Sequence, residues 1–258
     1  MARTKQTDGA EVWLALRGPG ERGDGEPLAA EEIAGQIERL IVGQGLPDGL
    51  RLPSERDIAL LASASRPTVS QAIRILVVKG LVESRRGSGA YIRRKPETSL
   101  VATVSLMLNL DKYSAAHLND LRLWLETLGI TQAIEKSSDE EADAGESALR
   151  ELIANVGDTA AWISADTRFH ATLVRASHNP YLASIYESVH ETLIKYEYRR
   201  WIQSGSLPRW LRKEEAAAVA ALHKPILAAV RDRDEEAGRI AVLHHHYVMA
   251  QHLAASQA

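Results

Sequence analysis

Cysteine is absent from this chain of 258 residues. Its absence excludes disulfide bonds, thiolate zinc sites and cysteine nucleophiles, and it agrees with a reducing compartment. Long apolar runs are also missing, because no stretch approaches the roughly 20 residues that a membrane-spanning helix needs. The N-terminus has no apolar segment followed by a cleavage site, as a secretory signal would have. We therefore expect a cytoplasmic protein with no membrane partner.

The small formal net charge of −3 conceals an uneven distribution of charge along the chain. Between Arg51 and Lys95, ten lysines and arginines stand against three acidic residues, which gives this stretch about +7 and the remainder about −10. A basic segment attached to an acidic one predicts a polyanionic partner for the basic segment only. The alternative is a chance cluster of solvated surface charges.

Residues 29–94 have the pattern of a winged helix-turn-helix. Apolar residues at helical spacing predict a first helix from Ala30, and the capping pattern that begins at Ser54 predicts a short second helix. A third helix is predicted after Ser65, with Gly80 at its C-terminal end. The following segment "LVESRRGSGAYIRR" predicts two short strands around a glycine-containing turn.

This arrangement predicts double-stranded DNA as the polyanionic partner. A third helix of this kind lies in the major groove, and arginines of the wing reach the backbone or the minor groove. Each arginine taken alone could equally be a solvated surface charge, but five elements in the right order favour DNA binding. The candidate DNA-binding residues are Arg56, Ser65, Arg66, Thr68, Ser70, Gln71, Arg74, Arg85, Arg86 and Gly87.

The rest of the chain is predicted to be a tail, a linker and a second domain. Residues 1–28 are rich in Gly, Arg, Glu and Asp and predict a disordered tail, and residues 95–99 predict a linker. Residues 100–256 predict an all-α bundle of six or seven helices, so the expected fold class is mainly α. The predicted helices cover 100–110, 114–136, 139–155, 159–177, 180–203, 209–231 and 234–255.

Segments of both halves resemble one known family. The DNA-binding domain of the GntR family is similar to "LPSER", "SRPTV" and "LVVKGLVESRRGSG" in this chain. The helical effector domain of its FadR-like branch, called FCD, is similar to "DLRLWLE", "DTRFHATL" and "SHNPYL". The resemblance covers about residues 30 to 256 and implies a homodimeric regulator, usually a repressor, on a pseudo-palindromic operator. Ser70 stands where many members have arginine, which removes one guanine contact that the family implies.

Histidines and one aspartate form a candidate metal site in the second half. Asp166 and His170 are four residues apart, so both side chains project from one helix face and can reach one ion. Metal-binding FCD domains add a histidine on a later helix and another 22 residues beyond it, which here implies His223 and His245. This ligand set suits a divalent first-row transition metal, with zinc foremost and nickel or manganese as alternatives. The alternative is a set of ordinary core or surface histidines.

The consecutive histidines of the last predicted helix cannot all face one site. Neighbours on a helix point about 100° apart, so His244 and His246 are expected to point sideways when His245 faces inward. His252 lies seven residues beyond His245 on the same face, and we expect it to support the site or to substitute for a ligand.

Two further residues are candidates for binding a small carboxylate effector. The resemblance suggests that Arg122 pairs with the carboxylate. Asn179 is a second candidate, for the lining of the same pocket. The alternatives are an ion pair between Arg122 and Glu126, one turn away, and a helix cap formed by Asn179.

A regulator whose operator affinity responds to a small organic acid is therefore the expected function. One alternative is a metal-dependent hydrolase fused to a DNA-binding head. Phe169 and Ala171 flank His170, so no obvious general base stands beside this ligand, and regulation without catalysis is favoured. Another alternative is a structural metal with a large apolar effector such as an acyl-CoA.

Overall fold

The computed structural model describes residues 9–16, 28–95, 97–111 and 113–255. The chain divides into two compact units, Met1–Ser99 and Leu100–Ala258. Among the residues described, no helix is both long and apolar enough to cross a membrane.

The first unit consists of short helices followed by a β-hairpin. Its helices are α1 (Gly9–Val12), α2 (Ala30–Gly43), α3 (Glu55–Leu61) and α4 (Arg66–Val78), with one 3₁₀ turn (Trp13–Ala15) after α1. Strands β1 (Val82–Arg85) and β2 (Gly89–Ile92) pair antiparallel, with Val82 opposite Ile92. This order of elements confirms the predicted winged helix-turn-helix.

Polar caps determine where α3 and α4 begin. The Ser54 hydroxyl accepts a hydrogen bond from the Asp57 backbone N–H, and the Ser65 hydroxyl accepts one from Thr68 in the same way, both at 3.2 Å. Each such cap stabilises its helix by about 1 kcal/mol. Gly80 follows α4 with a φ of 71°, a left-handed conformation that glycine adopts without steric strain. The predicted starts and end are therefore confirmed.

The prediction of a disordered tail over residues 1–28 is wrong for residues 9–16. These residues form α1 and the 3₁₀ turn, and Trp13 and Leu16 are buried in the apolar core that contains Ile37. The segment "VWLAL" is too short to show a helical period, and the glycine-rich and charged residues around it are typical of a disordered tail. At the other end of the predicted tail, Leu28 is buried in the same core, and the rest of that prediction, on residues 1–8 and 17–27, lies outside the described residues.

The second unit is the predicted all-α bundle, but it has eight helices rather than six or seven among the residues described. Its helices are α5 (Glu97–Leu110), whose first three residues precede the unit boundary, and α6 (Ser114–Lys136), α7 (Asp139–Ala154), α8 (Thr159–Arg175), α9 (Pro180–Glu197), α10 (Arg199–Ser204), α11 (Ala216–Asp232) and α12 (Glu235–Ala255). Helix α8 packs against α6, α7 and α9, and α12 packs against α6 and α11. Because α5 begins at Glu97, most of the predicted linker is helical.

Two predicted helices of the bundle are divided in the structure. The helix predicted over 180–203 is interrupted at Tyr198, whose φ of −92° and ψ of 3° end α9 before the short α10. The helix predicted over 209–231 begins as two 3₁₀ turns, Arg209–Leu211 and Lys213–Glu215, before α11. Tyr198 and Trp210 are buried against the fully buried Trp162, so aromatic packing holds both irregular segments on the core.

Candidate metal centre and nucleic-acid interface

Four buried side chains from three helices meet in the core of the second unit. Helix α8 supplies Asp166 and His170, α11 supplies His223, and α12 supplies His245. One ligand atom from each lies within 4.8 Å of the others. Asp166 Oδ1 is 3.1 Å from His223 Nε2, which is 3.2 Å from His245 Nε2. The structure therefore brings together all four residues that the sequence analysis named as ligands.

Hydrogen bonds on the outer side of two rings leave their Nε2 atoms facing the cluster. His223 Nδ1 is 2.7 Å from the Val219 carbonyl oxygen, and His170 Nδ1 is 2.6 Å from Glu126 Oε1, so both Nδ1 atoms donate. In a neutral ring Nε2 is then an acceptor. His170 Nε2 is buried and has no hydrogen-bond partner in the described part of the chain. Acceptor nitrogens converging on the Asp166 carboxylate oxygen leave a place for a cation, and the set fits a divalent first-row metal.

Glu126 on α6 supports the site, a role that the sequence analysis missed. Its Oε1 accepts from His170, and its Oε2 accepts from the Tyr186 hydroxyl and from His246 Nε2, each at 2.8 Å. Its partners are therefore two histidines and a tyrosine, whereas the sequence suggested Arg122. Burial opposes ionisation, but the electrostatic interactions and hydrogen bonds with His170 and His246 outweigh it and hold the pKa of Glu126 well below its ordinary value.

His190 on α9 supports the aspartate ligand. Its Nε2 is 3.2 Å from Asp166 Oδ2, and its Nδ1 is 3.0 Å from the Tyr186 hydroxyl. Burial lowers the pKa of His190 to about 4 despite the hydrogen bond to Asp166, so the ring is neutral at pH 7. Because Tyr186 also contacts Glu126, one buried network supports both Asp166 and His170. In the sequence, this network is indicated only by the spacing of Tyr186 and His190, which are one helical turn apart.

Helix α12 shows how the consecutive histidines are used. His245 is buried in the cluster and His244 is exposed, as predicted. The prediction that His246 points sideways is wrong, because it is buried, contacts Glu126, and has its Nδ1 3.5 Å from Arg122 Nη2. Packing of α12 against both α6 and α11 buries two neighbouring positions of this helix at once.

His252 does not join the four-residue cluster. Its ring stacks on Trp210, with the centroids 5.0 Å apart. The expectation that His252 supports the site or replaces a ligand is therefore not met. His252 lies on the same face of α12 as His245, but its ring packs against Trp210.

A polar cavity of about 260 Å³ lies beside the proposed ligands. Arg122 borders it and is 4% exposed, and its Nε has no hydrogen-bond partner among the residues described. Ligand pockets for drug-sized molecules usually have about 300–1,000 Å³, so this cavity suits a small molecule and disfavours an acyl-CoA. The lining residues are Asn119, Arg122, Asp166, Ile194, Glu197, Tyr198, His245, His246, Met249, Ala250, Leu253 and Ala254.

Asn179 is not brought to this cavity. Its side-chain oxygen accepts hydrogen bonds from the backbone N–H groups of Tyr181 and Leu182, at 3.2 and 3.1 Å, and so caps the start of α9. The side chain is exposed. The alternative role that the sequence allowed, a helix cap before Pro180, is the one in the structure.

The candidate DNA-binding residues lie on α3, on α4 with its cap, and on the hairpin. Eight are exposed, namely Arg56, Ser65, Arg66, Gln71, Arg74, Arg85, Arg86 and Gly87, and two are partly exposed, Thr68 and Ser70. The apolar stripe of α4 is buried on the opposite face, formed by Val69, Ala72, Ile73 and Leu76. The exposed face of α4 is thus the polar one, as a recognition helix requires.

The hairpin presents its basic residues at its turn. Gly87 has a φ of 74°, which a residue without Cβ adopts readily in a tight turn. Arg85 pairs with Glu83 at 3.0 Å and lies over the Tyr91 ring, whereas Arg86 is exposed at the turn. The wing therefore offers positive charge at its tip.

Ser65, by contrast, uses its hydroxyl to cap α4, so its main role is to fix where this helix begins.

Comparison with known proteins agrees with this architecture. Residues 29–92 match the model for bacterial regulatory proteins of the gntR family, and residues 117–248 match the FCD domain. The HTH-type transcriptional repressor NanR of Cronobacter sakazakii is 29% identical over 242 residues, covering 90% of this chain and 89% of that protein. NanR of Citrobacter rodentium is 27% identical over 228 residues, covering 85% and 84%.

A solved structure shares the fold of both units. Streptococcus agalactiae GntR superposes with a TM-score of 0.63 at 23% identity, covering 86% of this chain and 99% of that one. The matched domains and relatives are regulators of transcription, which gives no support to the hydrolase alternative. The chain therefore belongs to the gntR family of bacterial regulatory proteins, with an FCD domain as its second unit, and is a DNA-binding transcriptional regulator.

Proposed function

We propose that this regulator is a repressor whose operator affinity is controlled by a small carboxylate bound at a metal site in the FCD domain. The ligands are Asp166, His170, His223 and His245, and Arg122 receives the carboxylate. Zinc suits this set best, with nickel or manganese as alternatives. The relatives named as repressors support the direction of control.

The observation that carries the proposal is the convergence of four ligand atoms within 4.8 Å, next to a cavity that Arg122 borders. A bound divalent ion would attract one carboxylate oxygen as a Lewis acid. The Arg122 guanidinium, whose Nε has no partner among the described side chains, would donate to the carboxylate and orient it. Asp166 and His245 both border the cavity, so an effector there lies beside the ligands.

DNA recognition in this proposal uses the exposed face of α4 and the tip of the hairpin. Arg66, Gln71 and Arg74 would contact bases or phosphates in the major groove, and Arg86 would contact the backbone or the minor groove. Effector binding would shift the population between arrangements that bind the operator well and poorly.

A homodimer would present two such heads to a pseudo-palindromic operator. Exposed apolar side chains on α6 and α9, two helices that pack against each other, support this assembly. Trp124 and Leu128 on α6 are 66% and 53% exposed, and Tyr181 on α9 is 80% exposed. Sedimentation of wild type and of Leu128→Arg tests it, because a dimer through this face would dissociate in the variant.

The metal is tested by elemental analysis of tag-free protein beside the double variant His223→Ala/His245→Ala. We expect about one first-row metal ion per chain in wild type and almost none in the variant. A His244→Ala variant is the matched control, because this histidine is exposed on the same helix. Absence of metal from wild type after dialysis against zinc, nickel and manganese salts would refute the metal site.

Control by an effector is tested on an operator selected from random DNA. Small carboxylates that raise the melting temperature of the zinc-loaded protein would then be added to the protein–DNA complex. We expect at least one of them to change operator affinity. If every stabilising carboxylate left DNA affinity unchanged, regulation by such an effector would be refuted.

A further inference from the structure

The cavity beside the proposed metal site has polar groups that the carboxylate and the metal would not use. Glu197 is the last residue of α9, and its Oε2 is buried and has no hydrogen-bond partner in the described structure. The adjacent Tyr198 is fully buried, and its hydroxyl is likewise without a partner there. Both residues line the same cavity as Arg122.

The Glu197 carboxyl group is held with one oxygen available. Its Oε1 accepts a hydrogen bond from Asn119 Nδ2 at 2.5 Å, which orients the group from α6. Burial raises the pKa of Glu197, while the charge of Arg122 and the Asn119 hydrogen bond act in the opposite direction. A buried polar atom without a partner destabilises the fold, so an oriented one at a cavity wall points to a ligand.

We propose that Glu197 and Tyr198 form a second recognition point of the cavity, which binds a hydrogen-bond donor of the effector. The effector is then a carboxylic acid that also carries a hydroxyl or ammonium group, and this group donates to Glu197 Oε2. This inference rests on the proposed function, because it assumes that the carboxylate binds beside Arg122. It makes Glu197 a specificity-determining residue.

The physical reason for specificity is the cost of burying Glu197 Oε2 unpaired. An unsubstituted acid displaces solvent from the cavity and leaves this oxygen without a donor, whereas a hydroxy or amino acid supplies one. Sites that hydrogen-bond a substrate group reject analogues that lack it far better than apolar pockets reject a missing methylene. We therefore expect at least about tenfold tighter binding of the acid that carries the donor.

Titration calorimetry of the zinc-loaded full chain tests this with three series of linear carboxylates of two to six carbons. The first series is unsubstituted, the second has a terminal hydroxyl group, and the third has a terminal ammonium group. The variants are Glu197→Ala and Glu197→Gln, and Glu191→Gln is a matched control that removes a charge from α9 outside this cavity. Zinc content and circular dichroism report whether each variant keeps its fold and its metal.

The inference is supported if a donor-bearing acid binds at least about tenfold more tightly than its unsubstituted counterpart. Glu197→Ala must remove this preference and Glu191→Gln must keep it. Glu197→Gln should weaken a preference for hydroxyl, because its single amide oxygen can face either Asn119 Nδ2 or the cavity but not both, and a preference for ammonium is lost with the charge as well.

Three results would overturn the inference, and they are distinguishable. Binding of unsubstituted acids with no donor preference in wild type, or a preference that survives Glu197→Ala, refutes the role of Glu197 and leaves the proposed function standing. Failure of all three series to bind wild type refutes a small carboxylate effector, and this inference fails with it.

Discussion

Replacing Glu126 by glutamine tests whether this buried carboxylate holds His170 in place for metal binding. Glutamine keeps the shape of the side chain but replaces one acceptor oxygen by an NH₂ donor. The new NH₂ group must then face a donor, either His170 Nδ1 on one side or Tyr186 and His246 on the other, and the corresponding hydrogen bonds are lost. Loss of such a supporting partner lowers metal affinity about 10–100-fold.

The expected change in stability follows from the linkage between binding and folding. At free zinc 100 times the wild-type dissociation constant, zinc adds about 2.7 kcal/mol to the free energy of unfolding. A site weakened tenfold or hundredfold retains about 1.4 or about 0.4 kcal/mol at the same zinc concentration. At about 2–4 °C per kcal/mol, the zinc-induced rise in melting temperature falls from about 5–11 °C to about 1–6 °C.

The assay is a thermal melt of the full chain with and without buffered zinc, for wild type, Glu126→Gln and Glu135→Gln. Glu135 lies on the same helix and is exposed, so its variant controls for the loss of one carboxylate. The melt without zinc reports the fold of each variant, and the difference between the two melts reports zinc binding. A Glu126→Gln protein with the full wild-type zinc shift would refute the support of His170 by Glu126.

The remaining predictions concern DNA, effector and core. Arg66→Ala and Arg86→Ala should each weaken DNA binding and reduce the slope of log affinity against log salt by about 1, measured by fluorescence anisotropy; unchanged slopes would exclude phosphate contacts. Arg122→Ala should abolish the response of DNA affinity to small carboxylates while zinc content stays near that of wild type; a preserved response would place carboxylate recognition elsewhere. Trp162→Ala removes a fully buried ring and should lower the free energy of unfolding by about 3–5 kcal/mol in a urea titration; a loss below about 1 kcal/mol would contradict its place in the core.

The elements of the DNA-binding unit were predictable because their signals are local. A cap such as Ser65, an apolar stripe and a terminal Gly80 each act within a few residues, and the structure confirms all three. Trp13 and Leu16 could not be predicted in the same way. Their burial depends on contact with a core built from residues further along the chain, and eight described residues contain too little periodicity to indicate it.

The four candidate metal ligands could be named from the sequence, whereas the residues that support them could not. Asp166 and His170 share a helix face at a spacing that the sequence displays, and the resemblance to FCD domains supplied the other two. In the sequence, Glu126 is not distinguishable from the other acidic residues of its long helix. Its partners lie 44, 60 and 120 residues away along the chain, so no local pattern indicates them. His246 was misassigned because helix periodicity describes one face, whereas α12 is enclosed by two neighbouring helices.

These supports also connect the cavity to the ligands within the second unit. Arg122 Nη2 is 3.5 Å from His246 Nδ1, His246 is 2.8 Å from Glu126, and Glu126 is 2.6 Å from His170. The two inner contacts have the lengths of strong hydrogen bonds, whereas the outer one is at the limit for any hydrogen bond. Arg122 is therefore the member of this chain that can turn toward a carboxylate at least cost, while Glu126 keeps His170 oriented. In the proposed function, this chain of contacts would couple carboxylate binding at Arg122 to metal binding at His170. By linkage, the carboxylate would then change the metal affinity by the same factor by which the metal changes the carboxylate affinity.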